Sequence, residues 1–386
     1  MTTTLILGGG FGGLGTADEL CNARLRDHRI IVIDQSPVFT IGATKAWVLM
    51  GEKEPSEVMH SRTKLRDRGV EFVQATIRSI DPATRSVDTD HGRFKGDDLV
   101  IALGADLRMA AIPGMAEVAH QFYSLEGATE LCQALENFDS GRVVILIPRT
   151  PFKCPAGPYE AALLLSDHLR GKNDTTLTLV TIEAAPMATG GAEAGGLLRA
   201  QLAESGIEYL TQRKTTSVDF RTKSVLFEDG DPVPFDLLIA VPPHEAPAVV
   251  RESGLSGPNG WIPVDPSTCA VADHPGIYAV GDVNVLPLPG RFKPDVPLVM
   301  PKAGVVAEAQ GRVVARNIIH RLGLGDPAEF DGRGSCYLEI GHDRTIFAEG
   351  AFFDLPHPSM RPRMANSAQL DEKKTWVAET LRRLLG

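Results

Sequence analysis

Apolar and polar positions along the chain alternate in a way that predicts short buried strands separated by helices. An apolar run over residues 4–7 is followed by a helical pattern from Leu14 to Cys21, and then by a second apolar run over residues 29–33 that ends at Asp34. Short apolar runs are typical of buried strands, and apolar spacings of three and four residues are typical of a helix. We therefore expect a strand–helix–strand unit of about 30 residues at the start of the chain.

Glycines occupy the turn between the first strand and the helix, at Gly8, Gly10 and Gly13. In a dinucleotide-binding turn with this spacing, the first glycine permits the tight turn, the second lets the backbone approach a pyrophosphate, and the third lets helix and strand pack closely. The N-terminus of the helix stabilises phosphate charge, and Asp34 is placed to accept a hydrogen bond from a ribose hydroxyl. A glycine-rich turn without a ligand is the alternative. The predicted dinucleotide contacts are Gly8, Gly10, Phe11, Gly12, Gly13, Asp34 and Gln35.

Two later strands, predicted over residues 98–104 and 276–282, both end in small residues. FAD proteins of the disulfide-reductase type combine a GxGxxG unit, a strand with a small-x-Gly end and a late strand that ends in Gly-Asp, and this chain resembles them in all three. The resemblance implies that Asp282 accepts hydrogen bonds from the ribityl chain of FAD. The further FAD contacts that it implies are Ala102, Gly104 and Gly281.

The middle of the chain predicts a second Rossmann-like domain whose usual ligand site is missing. Strands are predicted over residues 141–147, 176–181 and 235–241, with a helix near residues 194–205. The turn after the first of these strands, residues 148–160, contains four prolines and no GxGxxG pattern. Because proline removes a backbone N–H donor, we do not expect tight binding of NAD(P)H there.

A helix is predicted from residue 304 to about residue 320, directly after Lys302 and Ala303. Its N-terminus would stabilise negative charge on a flavin ring. Lys302 would add to that stabilisation or contact an electron acceptor, and a surface lysine is the alternative. The segments predicted beyond this helix are a β-rich tail over 330–353, an irregular stretch over 355–371, and a terminal helix over 372–385 that docks on the protein rather than on a membrane.

Together these elements predict an α/β protein with two Rossmann-like dinucleotide-binding domains and a C-terminal β-rich and helical segment. Within the first domain, strands over residues 70–75 and 86–89 are expected to be joined by a turn around Asp81. The predicted boundaries are 1–110 and 256–322 for a discontinuous FAD-binding domain, 111–255 for the second domain without an NAD site, and 323–386 for the C-terminal segment.

Composition limits the classes of function. The chain has 386 residues and a formal net charge of −10, so we expect no basic surface for nucleic acid. It has no apolar run of about 18 residues and no pattern of a secretion signal, which favours a cytoplasmic protein, with removal of a signal as the alternative. Five cysteines without a CxxC pair predict neither a framework of structural disulfides nor a zinc site, and no metal is expected.

Three segments carry a resemblance to a known family: residues 151–160 (PFKCPAGPYE), 300–304 (MPKAG) and 335–337 (SCY). They resemble the flavoprotein subunit of flavocytochrome c sulfide dehydrogenase and the related sulfide:quinone oxidoreductases. The resemblance implies an FAD enzyme in which Cys154 and Cys336 form a redox-active pair beside the flavin. It also implies sulfide or a persulfide as the donor, which would attack a disulfide sulfur, and quinone or a cytochrome-type protein as the acceptor. Two unrelated buried thiols are the alternative.

The resemblance extends to two acid–base groups. Glu160 matches a glutamate of the family and would carry a proton, and His120 lies roughly where relatives place a histidine, a residue suited to acid–base chemistry. The alternatives are an exposed helix glutamate and a histidine without a function. Among the other cysteines, Cys21 and Cys132 are expected in the core, and Cys269 is given no role.

Three departures from the family alter what we expect. Residues 39–43 contain no cysteine where sulfide dehydrogenase subunits attach flavin covalently, so FAD is expected to bind non-covalently. Residues 105–120 lack the third cysteine of many quinone reductases, which argues against growth of a long polysulfide. An export signal and a strongly apolar C-terminal anchor are also lacking, so we expect neither a periplasmic cytochrome partner nor a tight quinone–membrane assembly from the family alone. Peripheral membrane contact and a homodimer both stay open.

Two other functions compete with sulfide oxidation. An NAD(P)H-dependent flavin oxidoreductase would need the glycine pattern that the second domain lacks. A flavin-binding protein without catalytic activity would have no use for Cys154 and Cys336. The sequence therefore favours an FAD-dependent sulfide or persulfide oxidoreductase.

Overall fold

The structure, a computed structural model, describes residues 1–172 and 174–386 of the chain. The strands are, in chain order, β1 (Thr2–Leu7), β2 (His28–Asp34), β3 (Val38–Phe39), β4 (His60–Ser61), β5 (Glu71–Gln74), β6 (Ile77–Asp81), β7 (Ser86–Thr89), β8 (Gly92–Lys95), β9 (Asp98–Ile101), β10 (Asp106–Leu107), β11 (Ala119–His120), β12 (Gly141–Ile147), β13 (Thr175–Thr181), β14 (Glu208–Leu210), β15 (Thr215–Asp219), β16 (Ser224–Phe227), β17 (Val233–Pro234), β18 (Leu237–Ala240), β19 (His244–Glu245), β20 (Ile262–Pro263), β21 (Ile277–Ala279), β22 (Asn284–Val285), β23 (Arg333–Glu339), β24 (Thr345–Ala351) and β25 (Ser359–Pro362).

Helices connect these strands and cover the sheets. The α-helices are α1 (Phe11–Asn22), α2 (Lys45–Leu49), α3 (Leu125–Glu136), α4 (Gly157–His168), α5 (Gly191–Glu204), α6 (Ala248–Arg251), α7 (Gly304–Arg321) and α8 (Ala368–Leu385). Short 3-10 helices lie at Gly42–Thr44, Pro55–Val58, Arg62–Arg68, Met109–Ala111, Ala188–Gly190 and Gly281–Val283.

The first sheet is parallel and has the strand order β21-β9-β1-β2-β5. Strands β1 and β2 are neighbours and α1 connects them, which confirms the strand–helix–strand unit predicted from the sequence. Leu5, Ile6 and Leu7 of β1 are all fully buried. A continuous apolar run of this kind is typical of a parallel strand that is covered on both faces.

The second sheet is also parallel, with the order β11-β18-β12-β13-β14. Its central strand, β12, is buried from Val143 to Ile147, and it pairs with β13 on one side and β18 on the other. With its own parallel sheet, the middle of the chain forms a second Rossmann-like domain. The predicted α/β fold with two such domains is confirmed.

The last part of the chain forms the antiparallel sheet β23-β24-β25 and helix α8. Val377, Leu384 and Leu385 of α8 are buried against the rest of the protein. Arg68 donates from Nη1 to the carbonyl oxygen of Leu384 at 3.2 Å. The predicted docking of the terminal helix on the protein is therefore confirmed. Within the described residues, the structure has no helix that is both long and apolar enough to cross a bilayer.

Two predictions of secondary structure are wrong. Strands β5 and β7 are not joined by one turn, because β6 lies between them and pairs with β7 and β8 in a separate antiparallel sheet. The stretch over residues 355–371 is not wholly irregular, since it contains β25 and the start of α8. Strand β6 is mostly solvent-accessible, so it shows no apolar alternation. Strand β25 contains Pro362, which lowers its β propensity and is tolerated on an edge strand.

Helices α1 and α7 approach each other closely because the residues at their contact include glycines, which have no side chain. A methyl group on Gly311 of α7 would lie 2.2 Å from the carbonyl oxygen of Gly12, and one on Gly15 would lie 2.9 Å from the carbonyl oxygen of Glu308. Both obstacles are backbone atoms of a helix, which cannot rotate out of the way. These contacts therefore fix the spacing between the N-termini of the two helices.

We expect Gly311→Ala to lower the free energy of unfolding by about 1–3 kcal/mol, because overpacking outweighs the better helix propensity of alanine. The control is Gly196→Ala on the exposed side of α5, where an added methyl group meets no described atom within 4 Å. That substitution should raise stability by up to about 1 kcal/mol. Denaturant unfolding followed by circular dichroism measures both, and equal stabilisation by the two variants would contradict the close packing of α1 and α7.

Candidate active site

A cavity of about 390 Å³ lies outside the carboxyl ends of parallel strands from both Rossmann-like sheets. Gly10 follows β1, Gly104 follows β9, Asp282 follows β21 and Cys154 follows β12. Residues of β23 and α8 form another part of its wall. Open α/β sheets bind their ligands at this edge, so the cavity is the candidate active site.

Most residues singled out from the sequence meet at this cavity. Gly8, Gly13, Asp34, Gln35 and His120 do not line it. The predicted residues that do line it are Gly10, Phe11, Gly12, Ala102, Gly104, Cys154, Glu160, Gly281, Asp282, Lys302, Ala303 and Cys336.

The glycine turn after β1 has the shape that a pyrophosphate requires. Gly8 has a φ of +99°, and a methyl group there would lie 2.4 Å from the carbonyl oxygen of Ala102. A methyl group on Gly13 would lie 1.9 Å from the carbonyl oxygen of Gly8. One on Gly10 would meet no described atom within 4 Å, because Gly10 faces the cavity. Gly8 and Gly13 thus shape the turn, whereas Gly10 keeps space for a ligand.

Asp34 holds the turn in place. Its Oδ2 accepts a hydrogen bond from the N–H of Gly9 at 2.7 Å, and its Oδ1 accepts one from the N–H of Ser36 at 2.8 Å. Arg62 lines the cavity and donates from Nε to the carbonyl oxygen of Gly9 at 2.7 Å, while its Nη2 lies 3.5 Å from Asp34 Oδ2. A guanidinium beside the glycine turn suits the charge of a phosphate. Sequence reasoning missed Arg62 because it lies in a separate segment without a motif.

Asp282 and Lys302 form a second polar part of the wall. Among the described residues, none offers a hydrogen bond to the buried Oδ1 of Asp282. Lys302 donates from Nζ to the carbonyl oxygens of Asp282 at 2.6 Å and Asn284 at 2.9 Å, and its Nζ lies 3.7 Å from the ring centre of Trp261. Burial lowers the pKa of Lys302 to about 8, and Asp282 opposes this shift. An unsatisfied carboxylate oxygen is suited to a ribityl hydroxyl, so these residues and the glycine turn fit FAD.

Cys154 lies in a strained turn just before α4. Its φ is +53°, in the left-handed region that non-glycine residues seldom adopt, and its N–H donates to the carbonyl oxygen of Lys302 at 2.7 Å. The thiol is exposed to the cavity, yet the surrounding protein removes it from bulk water and, with Glu160, raises its pKa to about 11. Lys45 and the N–H of Gly157 oppose this shift because they stabilise the thiolate.

Cys336 lies on β23, opposite Ala348 of β24, and lines the same cavity as Cys154. Burial raises the pKa of the Cys336 thiol to about 12, and negative charge on Cys154 and Glu160 adds to the shift. Both thiols are free in this structure. The fold therefore brings the two predicted cysteines, which are 182 positions apart in the sequence, to the wall of one cavity.

Glu160 belongs to a buried ionic network that reaches the C-terminal helix. The ammonium of Lys373, which is fully buried, lies 3.0 Å from Glu160 Oε1 and also contacts Glu339 Oε1, which accepts a hydrogen bond from Trp47 Nε1 at 2.8 Å. Burial raises the pKa of Glu160, Lys373 lowers it, and Glu339 raises it again. Burial lowers the pKa of Lys373, but the two carboxylates outweigh burial and raise it. The alternative of an exposed glutamate is wrong.

Two further lysines line the cavity beside Cys154. Burial, with repulsion from Lys153, lowers the pKa of Lys45 to about 7, and burial also lowers the pKa of Lys153. Lys45 donates to the carbonyl oxygen of Tyr123, whose buried hydroxyl has no hydrogen-bond partner among the described residues. With Lys302, these groups place three amines on the cavity wall, and each amine attracts an anionic ligand when it is protonated. The sequence held only one weak signal for them, since Lys153 directly precedes Cys154 in the 151–160 motif.

The structure does not bring His120 to the cavity. His120 lies half-buried on β11, where it pairs with Ile239 of β18, and burial lowers its pKa. Cys269 is buried in the core of the first domain, whereas Cys21 and Cys132 are half-buried. None of these three cysteines lines the cavity.

Comparison with known proteins gave two matching family models. The model of pyridine nucleotide-disulphide oxidoreductases matches residues 2–147. The model of the central part of the sulfide dehydrogenase (flavocytochrome c) flavoprotein chain matches residues 129–242. The two matches together span residues 2–242, which contain every strand of the two parallel sheets except β21.

Individual relatives match over most of the chain. A mitochondrial sulfide:quinone oxidoreductase of Mus musculus is 25% identical over 373 residues, which cover 89% of this chain and 77% of that protein. A sulfide-quinone reductase of Aquifex aeolicus is 26% identical over 360 residues, which cover 89% of this chain and 82% of that protein. The X-ray structure of the sulfide:quinone oxidoreductase from Aquifex aeolicus has the same fold, with a TM-score of 0.89 and 24% identity, covering 100% of this chain and 92% of that one.

We expect Lys373→Ala to lower the free energy of unfolding by about 3–5 kcal/mol, because it leaves two buried carboxylates without a counter-ion. Lys374→Ala, at the exposed next position, should change it by less than about 0.5 kcal/mol. The difference should shrink as the pH falls, because burial raises the pKa of Glu160 and protonation of this carboxylate removes an unpaired buried charge. Denaturant unfolding at several pH values measures this, and equal stability of the two variants would contradict the network.

Gly10→Ala should leave the stability of the FAD-free protein within about 0.5 kcal/mol of the parent, because the added methyl group has space. It should weaken FAD binding at least tenfold, or by about 1.4 kcal/mol, because that space is where the pyrophosphate would lie. Titration of the FAD-free protein with FAD measures the affinity, with Gly196→Ala as the control. Unchanged FAD affinity of the Gly10→Ala variant would mean that the glycine turn after β1 does not bind a dinucleotide.

Proposed function

Since the chain belongs to the flavoprotein family of the sulfide:quinone oxidoreductases and flavocytochrome c sulfide dehydrogenases, we propose that it is an FAD-dependent sulfide or persulfide oxidoreductase. In this proposal, Cys154 and Cys336 form the redox pair, and the electrons pass to quinone or another acceptor. One observation carries the proposal. Both free thiols lie in the wall of the cavity that Gly10 and Gly12 of the glycine turn also line.

The FAD would be held without a covalent bond. Gly10 and Arg62 suit its phosphates, Asp282 suits its ribityl chain, and Lys302 suits negative charge on its ring. Residues 39–43 line the same cavity and contain no cysteine that could form a thioether. When bound, the flavin supplies an acceptor for the two electrons that leave the dithiol.

The chemistry of the protein itself would be an exchange of sulfur bonds. Sulfide attacks one sulfur of a Cys154–Cys336 disulfide, which leaves a persulfide on one cysteine and a thiolate on the other. Lys45 and the N–H of Gly157 would stabilise that thiolate if it forms on Cys154. The strained backbone at Cys154 keeps its thiol at the cavity wall, where it can meet Cys336.

Glu160 would exchange the proton that accompanies this step. Its carboxylate lines the cavity, and its charge affects both cysteine thiols. Lys373 holds Oε1 of this carboxylate at 3.0 Å, so Glu160 is fixed in position. A carboxyl group with a raised pKa is better able to accept a proton near neutral pH.

The test is reduction of the FAD-loaded protein without oxygen, followed by the visible absorbance of oxidised flavin. Sulfide should bleach the parent rapidly. Cys154→Ser and Cys336→Ser should retain FAD but lose rapid bleaching, because no disulfide is left to attack. Cys132→Ser removes a half-buried thiol outside the cavity and should behave like the parent.

Addition of NADH to the same sample tests the competing function, which is that of an NAD(P)H-dependent flavin oxidoreductase. The turn after β12 lacks the GxGxxG pattern, so NADH should not bleach the flavin. Bleaching by NADH and not by sulfide would replace the proposal with a pyridine-nucleotide oxidoreductase. Full activity of Cys154→Ser with sulfide would exclude the disulfide mechanism.

A further inference from the structure

The two oxygens of the Glu160 carboxylate have different surroundings. Oε1 accepts a hydrogen bond from the backbone N–H of Glu339 at 3.0 Å and another from the ammonium of Lys373 at 3.0 Å. Oε2 accepts no hydrogen bond from any described residue, and Glu160 lines the large cavity of the candidate active site. Oε1 therefore fixes the side chain, and Oε2 is left to receive a proton from a molecule in the cavity.

Lys373 serves two carboxylates at once. Its ammonium is fully buried and contacts Oε1 of Glu339 as well as Oε1 of Glu160. One positive charge can balance only one of two negative charges, so each carboxylate receives only part of the stabilisation that a separate ion pair would give. Within the described residues, Glu160 lines the cavity and Glu339 does not. A proton released in the cavity therefore meets Glu160 first.

The shared ammonium keeps Glu160 between two states that do not suit a general base. A carboxylate with a cation of its own is a weak base, because the cation favours the charged form. A carboxyl group buried without a cation is already protonated and cannot accept a proton. Burial raises the pKa of Glu160, Lys373 lowers it, and the charge of Glu339 raises it again. The second carboxylate thus opposes the effect of the lysine and leaves Glu160 basic.

Other titratable groups face this network from the cavity and from the segment after α2. They are Cys154, Cys336, Lys45, Lys153 and Glu52. The two cysteines do not titrate while they form a disulfide with each other. The oxidised protein is therefore the form in which proton uptake by the network is measured most directly.

We propose that Glu339 and Lys373 are positioning residues of the enzyme, and that by sharing one ammonium they keep Glu160 able to accept the proton of the sulfide donor. The inference rests on the proposed function and specifies what controls its proton step. Hydrogen sulfide gives one proton to Oε2 of Glu160, and its sulfur forms a bond to one cysteine while the Cys154–Cys336 bond breaks. The electron pair of that bond goes to the other cysteine, so the products are a persulfide, a thiolate and a neutral Glu160 carboxyl group.

Two substitutions with opposite expected effects test the inference in the FAD-loaded, oxidised protein. Glu339→Gln removes one charge but keeps the backbone N–H and a side-chain oxygen that can accept the hydrogen bond of Trp47 Nε1. Lys373→Met removes the shared cation and keeps an unbranched side chain. Glu349→Gln on β24 and Lys374→Met on α8 make the same changes at exposed positions and serve as controls.

The first measurement is the infrared absorption of protonated carboxyl groups as the pH falls, with the spectrum of the matching Glu160→Gln protein subtracted. Glu339→Gln should lower the midpoint of Glu160 protonation by about 1–3 pH units, because the ammonium then acts on a single carboxylate. Lys373→Met should raise this midpoint by about 1–3 pH units, because no cation then opposes burial. The two controls should titrate like the parent.

The second measurement is the pH dependence of flavin bleaching by sulfide, relative to the parent. Bleaching should decline at low pH, since a protonated Glu160 cannot act as the base. The decline should move to lower pH in Glu339→Gln and to higher pH in Lys373→Met, in agreement with the infrared midpoints. A purely structural role of the network would lower the rate at every pH and leave the midpoint in place.

Two outcomes would overturn the inference. The first is an infrared midpoint that Glu339→Gln leaves unchanged or raises. The second is a bleaching profile that stays in place while the infrared midpoints move, because Glu160 would then not be the base. A parent protein that sulfide does not bleach would instead contradict the proposed function. Glu339→Gln decides the inference on its own if Lys373→Met does not fold.

Discussion

One buried ammonium group, that of Lys373, joins the parts of the molecule that build the active site. It lies between Glu160 on α4 and Glu339 on β23. The helix that follows Cys154, the strand that carries Cys336 and the C-terminal helix therefore meet at a single charge. Two carboxylates buried together without a cation would repel each other and lose their hydration. The mutual position of the two cysteines thus depends on a lysine from the last helix of the chain.

Local sequence patterns were sufficient to predict the parts of the fold that have a recognisable turn motif or a continuous apolar run. The glycine turn was predicted from Gly8, Gly10 and Gly13, and the strand that leads to Asp282 was predicted from its Gly-Asp end. The central strands of both sheets were predicted from continuous apolar runs. Strand β6 was missed because most of its positions are accessible to solvent, so it has no apolar alternation. Strand β25 was missed because it is short and contains a proline.

The charged groups of the site could not be predicted in the same way. Arg62, Lys45 and Lys373 come from segments without a motif, and only the tertiary fold brings them to the cavity or to Glu160. Asp34 has a role that the sequence did not indicate. Its carboxylate holds the glycine turn through the N–H of Gly9, while its predicted contact with a ribose stays a prediction. Ion pairs between residues far apart in the chain produce no periodic pattern in the sequence, so such pairs cannot be predicted from it.

The three tryptophans of the chain all lie around the active site. Trp376 of α8 lines the large cavity, Trp261 lies beneath the ammonium of Lys302, and Trp47 hydrogen-bonds to Glu339. Tryptophan emission overlaps the absorption of oxidised flavin, and energy transfer between them is efficient over short distances. The protein therefore carries its own optical probe, whose ultraviolet fluorescence should dim when a flavin binds in the large cavity.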